Sequence, residues 1–531
     1  MEISQQTRSE FQSTKVSNML SSITSHLSAP LLLYLLVALF MGTQFSYSLS
    51  SYSNQTAIPL PCLSDQASAL LQLRGTFLPT NESAAAFRSW QAGTDCCDWE
   101  GVGRGDADGY VTSLDLGDWG LESSALDPAI FSLTSLRYLD LALNDFNGSH
   151  LPAFGFERLI ELTHLNLSSS NFQGRIPVGI GRLTNLVSLD LSTSFHVEDQ
   201  DGHYDHEILL HFFSNPYWQL VEPNIGSLIA NLSNLKELYL DGVDLSGNGV
   251  KCAFPNSSTP KLQATKNILS GRIPPSICNA TRMRLLDLSY NNLSGSIPSC
   301  LLDDFNSLNV LNLKSNQLRE KLPQNIKHDC ALEDLDFGDN LLEGQLPRSL
   351  AACRDVKVFD IGNNQIHDTF PCWMGTLPEL QVLILKSNKF IGNVGRQEGD
   401  ICEFASLQVF DLASNNFSGI LLNEWFKTMK SMMVKSGEDT MWMEQPDEPY
   451  QVTAAVTYKG NEEVIVSTVL KALAVIDVSD NLFHGPIPQS IGYLVLLRGI
   501  NMSHNALTGP IPSQLCALNQ LEALDLSSNN L

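Results

Sequence analysis

Apolar and polar residues alternate along most of the chain in a pattern that can be written LxLxxNxL. The first apolar residue of each copy, here called the frame residue, returns about every 24 residues, a period typical of leucine-rich repeats. A short strand with this alternation turns its apolar side chains to one side, so stacked coils bury them and form one parallel sheet. The frame residues are Leu114, Leu139, Leu165, Leu189, Leu238, Leu262, Leu286, Leu311, Leu335, Phe359, Leu383, Phe410, Ile476, Ile500 and Leu524.

An asparagine stands five residues after most frame residues, where its amide can satisfy backbone groups freed by a turn. A Gly-x-Ile-Pro element often follows, as in Gly271–Pro274 and Gly509–Pro512. This element resembles the plant-specific class of leucine-rich repeats. The predicted fold class is therefore an α/β-type solenoid, a plant-specific leucine-rich-repeat superhelix with an N-terminal disulfide cap and a small β-rich insertion. Repeats are expected over 113–424 and 472–531. One interval between frames, from Leu189 to Leu238, is about twice the period and suggests a hidden degenerate coil.

The N-terminal region resembles an export signal. Ala29–Met41 is an apolar run too short to span a bilayer, with Arg8 and Lys15 before it. We therefore expect a signal peptide with a long leader over 1–50, and an uncleaved anchor is the alternative. Asn-x-Ser/Thr glycosylation sites agree with export. They are Asn54, Asn81, Asn147, Asn166, Asn231, Asn256, Asn279, Asn292, Asn416 and Asn501.

Residues 51–112 resemble the N-terminal cap of plant leucine-rich-repeat proteins, with apolar residues at helical spacing followed by Trp90 and Trp99. A first coil would otherwise expose its interior. The resemblance implies a Cys62–Cys96 disulfide. Where the family supplies a cysteine to bond Cys97, this chain has Arg104. We expect the second cap disulfide to be missing, at a cost of about 2 to 5 kcal/mol.

The remaining cysteines can be placed by their distance from the frame residue, because neighbouring strands lie only about 4.8 Å apart. Cys330 and Cys353 then stack and can bridge, and Cys278 with Cys300 is plausible. Cys372 with Cys402 fits less well. The three candidate disulfides between coils are therefore Cys330–Cys353, Cys278–Cys300 and Cys372–Cys402. Metal binding is the competing interpretation, but no CxxC motif or histidine cluster supports it, and no cofactor is predicted.

The net charge and the missing catalytic motifs exclude several classes of function. The 531 residues carry a net charge of −25 without a basic cluster, which excludes a nucleic-acid partner. Signatures of serine hydrolases, zinc proteases and nucleotide-binding loops are missing, so we predict no enzymatic activity. Aspartates that recur one residue after the frame residue belong to the repeat. We expect them to form a solvated row on the sheet.

Residues 425–471 interrupt the period with methionines, lysines and β-branched residues. Val452–Thr457 and Val464–Val466 read as two strands of a hairpin. The insertion resembles the island of tomato Cf-type receptor-like proteins and of steroid-sensing receptor kinases. In those families the island lies over the concave surface and contributes to ligand or co-receptor recognition. A disordered linker is the alternative, and the β-branched content argues against it.

Residues one before the frame residue face outward on the concave side and form an apolar row beside the aspartates. Such a face suits a peptide or protein ligand, although ordinary β-propensity explains the row equally well. The candidate ligand-binding residues are Tyr138, His164, Glu237, Leu285, Tyr290, Val310, Lys314, Val358, Val382, Lys386 and Val409.

The combination of cap, repeats and island resembles plant cell-surface receptor-like proteins. The resemblance implies a plasma-membrane receptor that binds an extracellular ligand and signals through partner receptor kinases. The alternative is a secreted inhibitor of a microbial polygalacturonase, or a soluble decoy. Family members continue beyond the position of Leu531 with further coils and a transmembrane helix, so we expect a truncated chain, secreted if this end is real.

Overall fold

A computed structural model describes eleven segments of the chain. They are 61–105, 109–193, 220–221, 228–245, 260–303, 307–326, 330–397, 400–433, 453–458, 461–466 and 473–531. The predicted signal peptide, Cys252 and the glycosylation sites Asn54 and Asn256 lie outside them. In these segments no helix combines the length and the apolar character needed to cross a membrane.

Sixteen strands of the described segments form one sheet, here called the main sheet. Its first two strands are antiparallel and all others are parallel. In chain order they are Val102–Arg104, Val111–Asp115, Tyr138–Asp140, His164–Asn166, Ser188–Asp190, Glu237–Tyr239, Lys261–Gln263, Leu285–Asp287, Val310–Asn312, Asp334–Asp336, Val358–Asp360, Val382–Ile384, Val409–Asp411, Val475–Asp477, Gly499–Asn501 and Ala523–Asp525. Frame residues pair with frame residues, as Leu335 does with Phe359. Their side chains are buried between the main sheet and the rest of each coil, except that of Leu524 in the last strand, which is 48% exposed.

Register decides how the two long intervals are accommodated. The strand of Leu189 pairs directly with the strand of Leu238. The predicted hidden coil is therefore wrong, because such a coil would have placed another strand between them. The strands of Phe410 and Ile476 also pair directly, so the island is an insertion between two successive coils.

The other side of each coil carries short strands and helical turns. Three smaller parallel sheets contain Ser149–His150, Phe172–Arg175 and Leu220–Val221; Ser270–Arg272, Asn292–Gly295, Gln317–Glu320, Leu341–Gly344 and Gln365–Ile366; and Ile391–Asn393, Asn416–Ile420, Leu482–Gly485 and Ala506–Leu507. Two antiparallel pairs are Arg396–Gln397 with Asp400–Ile401, and Thr453–Tyr458 with Asn461–Val466. The α-helices are Ser64–Arg74, Asn81–Ala86, Cys300–Asp303 and Asn423–Phe426. The 3-10 helices are Phe87–Ser89, Cys96–Asp98, Pro128–Ser132, Phe156–Arg158, Ile180–Arg182, Pro275–Asn279, Arg348–Ala352, Cys372–Thr376, Lys430–Met432, Gln489–Tyr493 and Ser513–Ala517.

The recurring asparagines tie each coil to the one before it. Asn340 is a representative: its amide N–H groups donate to the carbonyls of Phe337 and Gly338 in its own coil and of Leu313 in the preceding coil. Its amide oxygen accepts from the Leu318 N–H at 3.0 Å. All four bonds lie in the buried interior, where unpaired backbone groups would be costly. The asparagine is therefore a structural residue of the repeat.

In the cap, the helix Ser64–Arg74 packs on the first coils, and the rings of Trp90 and Trp99 stack with centroids 5.3 Å apart. Arg104 forms ion pairs with Asp98 and, at 3.6 Å, with Asp95. The Asp95 carboxylate also accepts from the N–H groups of Cys62 and Cys97, and these backbone bonds lower its pKa. Arg104, Asp95 and Asp98 thus form a charged network beside the Cys62–Cys96 disulfide.

Four disulfides connect described residues, and the Cα atoms of each pair are 4.9 to 5.7 Å apart. They are Cys62–Cys96, Cys278–Cys300, Cys330–Cys353 and Cys372–Cys402. The prediction that Cys372 and Cys402 fit a disulfide less well is wrong, because the two residues are bonded. The coil that contains Cys402 is longer than its neighbours and includes the small pair Arg396–Gln397 with Asp400–Ile401, so counting from the frame residue misplaces that cysteine.

One cluster among the described residues has spacing that could hold a metal ion: the sulfurs of Cys62, Cys96 and Cys97, all within 4.8 Å of one another. Two of these sulfurs are joined in a disulfide, so they do not offer the thiolates that zinc requires. The Cys97 side chain carries a buried thiol beside that disulfide. The grouping is therefore part of the cap's disulfide packing.

Candidate ligand-binding face

The face of the main sheet that points away from the coil interior carries two columns of side chains. The first column consists of the residues immediately before the frame residues, and the second column consists of the residues immediately after them. The two columns share a face because strand residues two apart point to the same side. The columns change character along the sheet. They are half-buried or exposed up to the strand Lys261–Gln263 and buried over most of the strands from Leu285–Asp287 to Val475–Asp477.

The first half of this face presents Tyr138, His164 and Glu237 to solvent, as predicted from their strand positions. The rings of Tyr138 and His164 lie 6.0 Å apart on neighbouring strands. The Tyr138 hydroxyl donates to the Asp140 carboxylate at 3.2 Å, and burial together with nearby carboxylates raises the pKa of this tyrosine to about 12. Glu237 pairs with Lys261 at 3.5 Å. These side chains form an accessible, mixed polar and aromatic surface.

Part of the second half is covered by the island hairpin, Thr453–Tyr458 with Asn461–Val466. Val456 of this hairpin is only 1% exposed. It packs in one apolar cluster with side chains of the main sheet and of the segment before Ile476. The other members of the cluster are Val358, Val382, Ile384, Val409, Leu473 and Val475.

Val358, Val382 and Val409 therefore form the docking floor of the hairpin. Their assignment as ligand-binding residues is wrong for this closed arrangement, because 1% or less of each side chain is accessible. Burying three branched side chains stabilises the contact by roughly 1.5 to 3 kcal/mol each before entropy is deducted. The apolar row was correctly placed on the outer face, but its partner is the chain's own hairpin.

The remaining candidates fall into different surroundings. Leu285 is buried and Val310 is half-buried. Tyr290 stands in the turn after its strand, with φ of +54°, rather than on the strand itself. Lys314 and Lys386 are both 7% exposed and are therefore not free to meet a ligand as long, solvated cations. Their expected role in direct binding is replaced by a role in buried charge pairing.

The expected solvated row of aspartates is wrong over the second half of the sheet. Asp287, Asp336, Asp360, Asp411 and Asp477 are each 3% exposed or less. Each carboxylate accepts a hydrogen bond from the N–H two residues later, as Asp360 does from Gly362 at 2.8 Å. This bond closes the turn that leaves each strand, which explains why Asp or Asn recurs at this position.

Lys314 is surrounded by carboxylates. Its Nζ lies 3.7 Å from Asp360, 3.8 Å from Asp339 and 3.9 Å from Asp336. Burial alone would lower the pKa of Lys314, but the carboxylates of Asp336 and Asp360 outweigh it and raise that pKa. Burial raises the pKa of Asp336 to about 8, although Lys314 opposes the shift. One lysine cannot balance three ionised carboxylates in so dry a site.

The predicted glycosylation sites separate into two groups. Asn147, Asn231, Asn279, Asn292 and Asn416 are exposed. Asn166 and Asn501 instead stand on the main sheet in the column after the frame residue, and their amides donate to Asp140 at 2.9 Å and to Asp477 at 3.1 Å. Asn81 begins the second cap helix, Asn81–Ala86. The two sheet asparagines hold the ladder together and are poorly placed for a glycan.

Comparison with known families agrees with the architecture. A family model described as Leucine rich repeat N-terminal domain matches residues 63–103. A second, Leucine Rich Repeat, matches residues 161–183, 282–303, 406–427 and 496–518. The fold and these matches define the chain as a leucine-rich-repeat solenoid, which confirms the predicted fold class.

The similar curated proteins are receptor-like proteins of Arabidopsis thaliana. Receptor-like protein 35 is 36% identical over 289 residues, covering 52% of this chain and 29% of that protein. Receptor-like protein 18 is 30% identical over 404 residues, which cover 63% of this chain and 47% of that protein. Receptor like protein 27 is 32% identical over 409 residues, which cover 72% of this chain and 50% of that protein. The predicted resemblance to plant receptor-like proteins is confirmed, and the chain spans half or less of the length of these relatives.

Solved structures with this fold include plant receptor ectodomains. A TDR receptor superposes with a TM-score of 0.57 at 22% identity, covering 78% of this chain and 59% of that one. The Arabidopsis receptor kinase HAESA ectodomain, solved in complex with an N-terminal extended IDA peptide hormone ligand, has a TM-score of 0.50 at 22% identity and covers 88% and 82%. At this identity the likeness establishes the fold.

Proposed function

We propose that the chain is the extracellular recognition module of a plant receptor-like protein. It binds a peptide or protein ligand on the main sheet without catalysing a reaction. A partner receptor kinase then carries the signal. Support comes from the receptor-like relatives and from the peptide complex of HAESA, a protein with the same fold.

The observation that carries this proposal is the division of the outer face. Up to the strand Lys261–Gln263 its side chains are accessible, whereas the following strands are covered in part by the chain's own hairpin. A ligand in the closed arrangement therefore meets Tyr138, His164 and Glu237 first. Aromatic rings with polar edges give contact area at little entropic cost, which suits a recognition surface.

Charge on this surface indicates the ligand class. Asp115 is exposed and Asp140 is half-buried on the strands that carry or adjoin Tyr138. The whole chain has a net charge of −25. We expect the ligand to be neutral or basic, because an acidic peptide would be repelled during approach.

The first test uses a phage-displayed library of linear peptides as the probe. Wild type, immobilised at pH 6.5, is expected to enrich a sequence family that the double variant Tyr138→Ala with His164→Ala does not retain. Tyr493→Ala is the matched control, because Tyr493 is 58% exposed on a 3-10 helix outside the main sheet. Equal retention by wild type and the double variant would contradict binding at this face.

The second test separates the receptor from the inhibitor alternative. The purified chain is added to fungal polygalacturonase, and to immobilised ectodomains of receptor-kinase co-receptors. The receptor proposal predicts retention by a co-receptor ectodomain and unchanged hydrolysis of polygalacturonic acid. Strong inhibition of the pectinase without co-receptor retention would replace the receptor proposal by the inhibitor one.

A further inference from the structure

The part of the main sheet beneath the island hairpin carries both apolar side chains and buried carboxyl groups. Ile384, a member of the cluster that holds Val456, stands in the column after the frame residue. Register places it directly between Asp360 on one neighbouring strand and Asp411 on the other. The hairpin contact and the buried carboxylates therefore share one stretch of the sheet.

The charges around this stretch do not balance. The strands that carry Val358, Val382 and Val409, together with the neighbouring strand on each side, hold five buried carboxyl groups. They belong to Asp334, Asp336, Asp360, Asp411 and Asp477. Lys314 and Lys386 are the buried cations that face them. Asp287, Glu333 and Asp339 add further acid nearby.

Hydrogen bonding does not relieve this imbalance. One carboxylate oxygen of each of Asp334, Asp336 and Asp411 is buried and has no hydrogen-bond partner among the described residues. A buried carboxylate oxygen without a hydrogen-bond partner favours the protonated form of its carboxyl group.

We infer that the island hairpin is a proton-linked cover, which docks on the main sheet while the carboxyl groups beneath it hold protons and undocks as they ionise. This inference does not depend on the proposed function. Undocking would expose Val358, Val382 and Val409 as an apolar surface. Protonation would thus decide whether the second half of the face is available.

Two observations identify burial as the cause. Burial raises the pKa of Asp411 to about 7, with a further contribution from Asp477. Asp525 occupies the same column on the last strand and makes the same turn bond, to Ser527 at 2.9 Å, but it is exposed, and that bond lowers its pKa. The strand position alone therefore does not cause the upward shift.

The direction of the pH dependence follows from linkage. A carboxyl group whose pKa is higher in the docked state than in the solvated state binds more protons when docked. Docking is therefore most stable below about pH 4, the ordinary carboxyl pKa, and weakens progressively up to about pH 8. Lys314 stays charged throughout this range and does not contribute to the slope.

Hydrogen exchange of the hairpin amides, followed by mass spectrometry from pH 5 to pH 8.5, tests the cover. A two-stranded hairpin is marginally stable by itself, so its protection reports docking. After correction for intrinsic exchange, protection over 453–466 is expected to fall at least about tenfold as pH rises, equivalent to one ionised carboxyl shifted by one pKa unit or more. Constant protection across this range would overturn the inference.

Matched variants identify the groups responsible. The double variant Asp336→Asn with Asp411→Asn keeps the turn bonds and removes two of the ionisable groups, so its protection should fall less steeply with pH than that of wild type. Asp525→Asn should retain the wild-type slope. Val456→Ser should lower protection at every pH. A slope as steep as that of wild type in the double variant, with the main-sheet amides still protected, would contradict the assignment. If the sheet itself loosens in the double variant, the single variant Asp411→Asn takes its place and is expected to reduce the slope.

Discussion

At the scale of single residues, the coil depends on polar side chains that are buried and fully bonded. Asn340 makes four hydrogen bonds that link two coils, and Asp360 closes the turn of its own strand. Neither side chain is available for chemistry with a ligand. The same residue types, asparagine and aspartate, therefore mark the repeat and not an active site.

Replacing such an asparagine should be costly. Asn340→Ala removes the side-chain acceptor of the buried Leu318 N–H and one of the donors to each of three buried carbonyls, and we expect it to lower the free energy of unfolding by about 2 to 4 kcal/mol. Urea unfolding followed by circular dichroism measures this change. Asn292→Ala, at an exposed position, is the control and should change stability by less than about 0.5 kcal/mol. Equal effects of the two substitutions would show that the ladder bonds contribute little.

Glycan occupancy should follow the geometry of the asparagines. We expect Asn292 and Asn416 to be glycosylated and Asn166 and Asn501 to remain unmodified, because the latter amides are bonded within the main sheet. Glycopeptide mass spectrometry of the chain secreted from plant cells measures each site. A glycan at Asn501 would mean that the last coils are open when the transferase acts.

At the scale of elements, the disulfides and the hairpin hold separate parts of the solenoid together. The Cys330–Cys353 disulfide links neighbouring coils. Val456 of the island packs in a cluster with side chains from four strands of the main sheet. The offset of each cysteine from its frame residue indicated the first of these connections. The second could not be anticipated, because an aperiodic insertion has no register from which a contact can be read.

Removing an inter-coil disulfide should destabilise the solenoid. Cys330→Ser combined with Cys353→Ser is expected to lower the free energy of unfolding by about 2 to 4 kcal/mol, since the bridge restricts the unfolded chain. Thermal unfolding under non-reducing conditions provides the measurement. Cys516→Ser, which removes an exposed thiol, serves as the control and should leave the transition unchanged. A transition that does not move in the double variant would show that the bridge is dispensable.

At the scale of the whole molecule, the period of the frame residues predicted the fold because each coil repeats one local solution. Buried leucines, the asparagine ladder and the stacked cysteines all follow from that period. The division of the outer face does not, since a strand position such as that of Asp411 is exposed or buried according to what covers it. Sequence reasoning therefore placed Val358 and Val382 on the correct face but assigned them the wrong partner.

The recognition proposal should also be sensitive to charge on the open half of the face. Asp115→Lys reverses an exposed charge on the strand beside Tyr138 and should weaken binding of a basic peptide selected from the library by about tenfold, mainly through slower association. Surface plasmon resonance at low and high salt separates this effect from a structural one. An effect of the same size at both salt concentrations would argue against an electrostatic role.

The most direct test of the account is a hydrogen-exchange footprint of a library-selected peptide on the wild-type chain. Binding at the main sheet predicts added protection in the strands from Tyr138–Asp140 to Lys261–Gln263, with little change in the 3-10 helices on the other side of the coils. Protection confined to those helices, or to the cap, would contradict recognition by the open half of the main sheet.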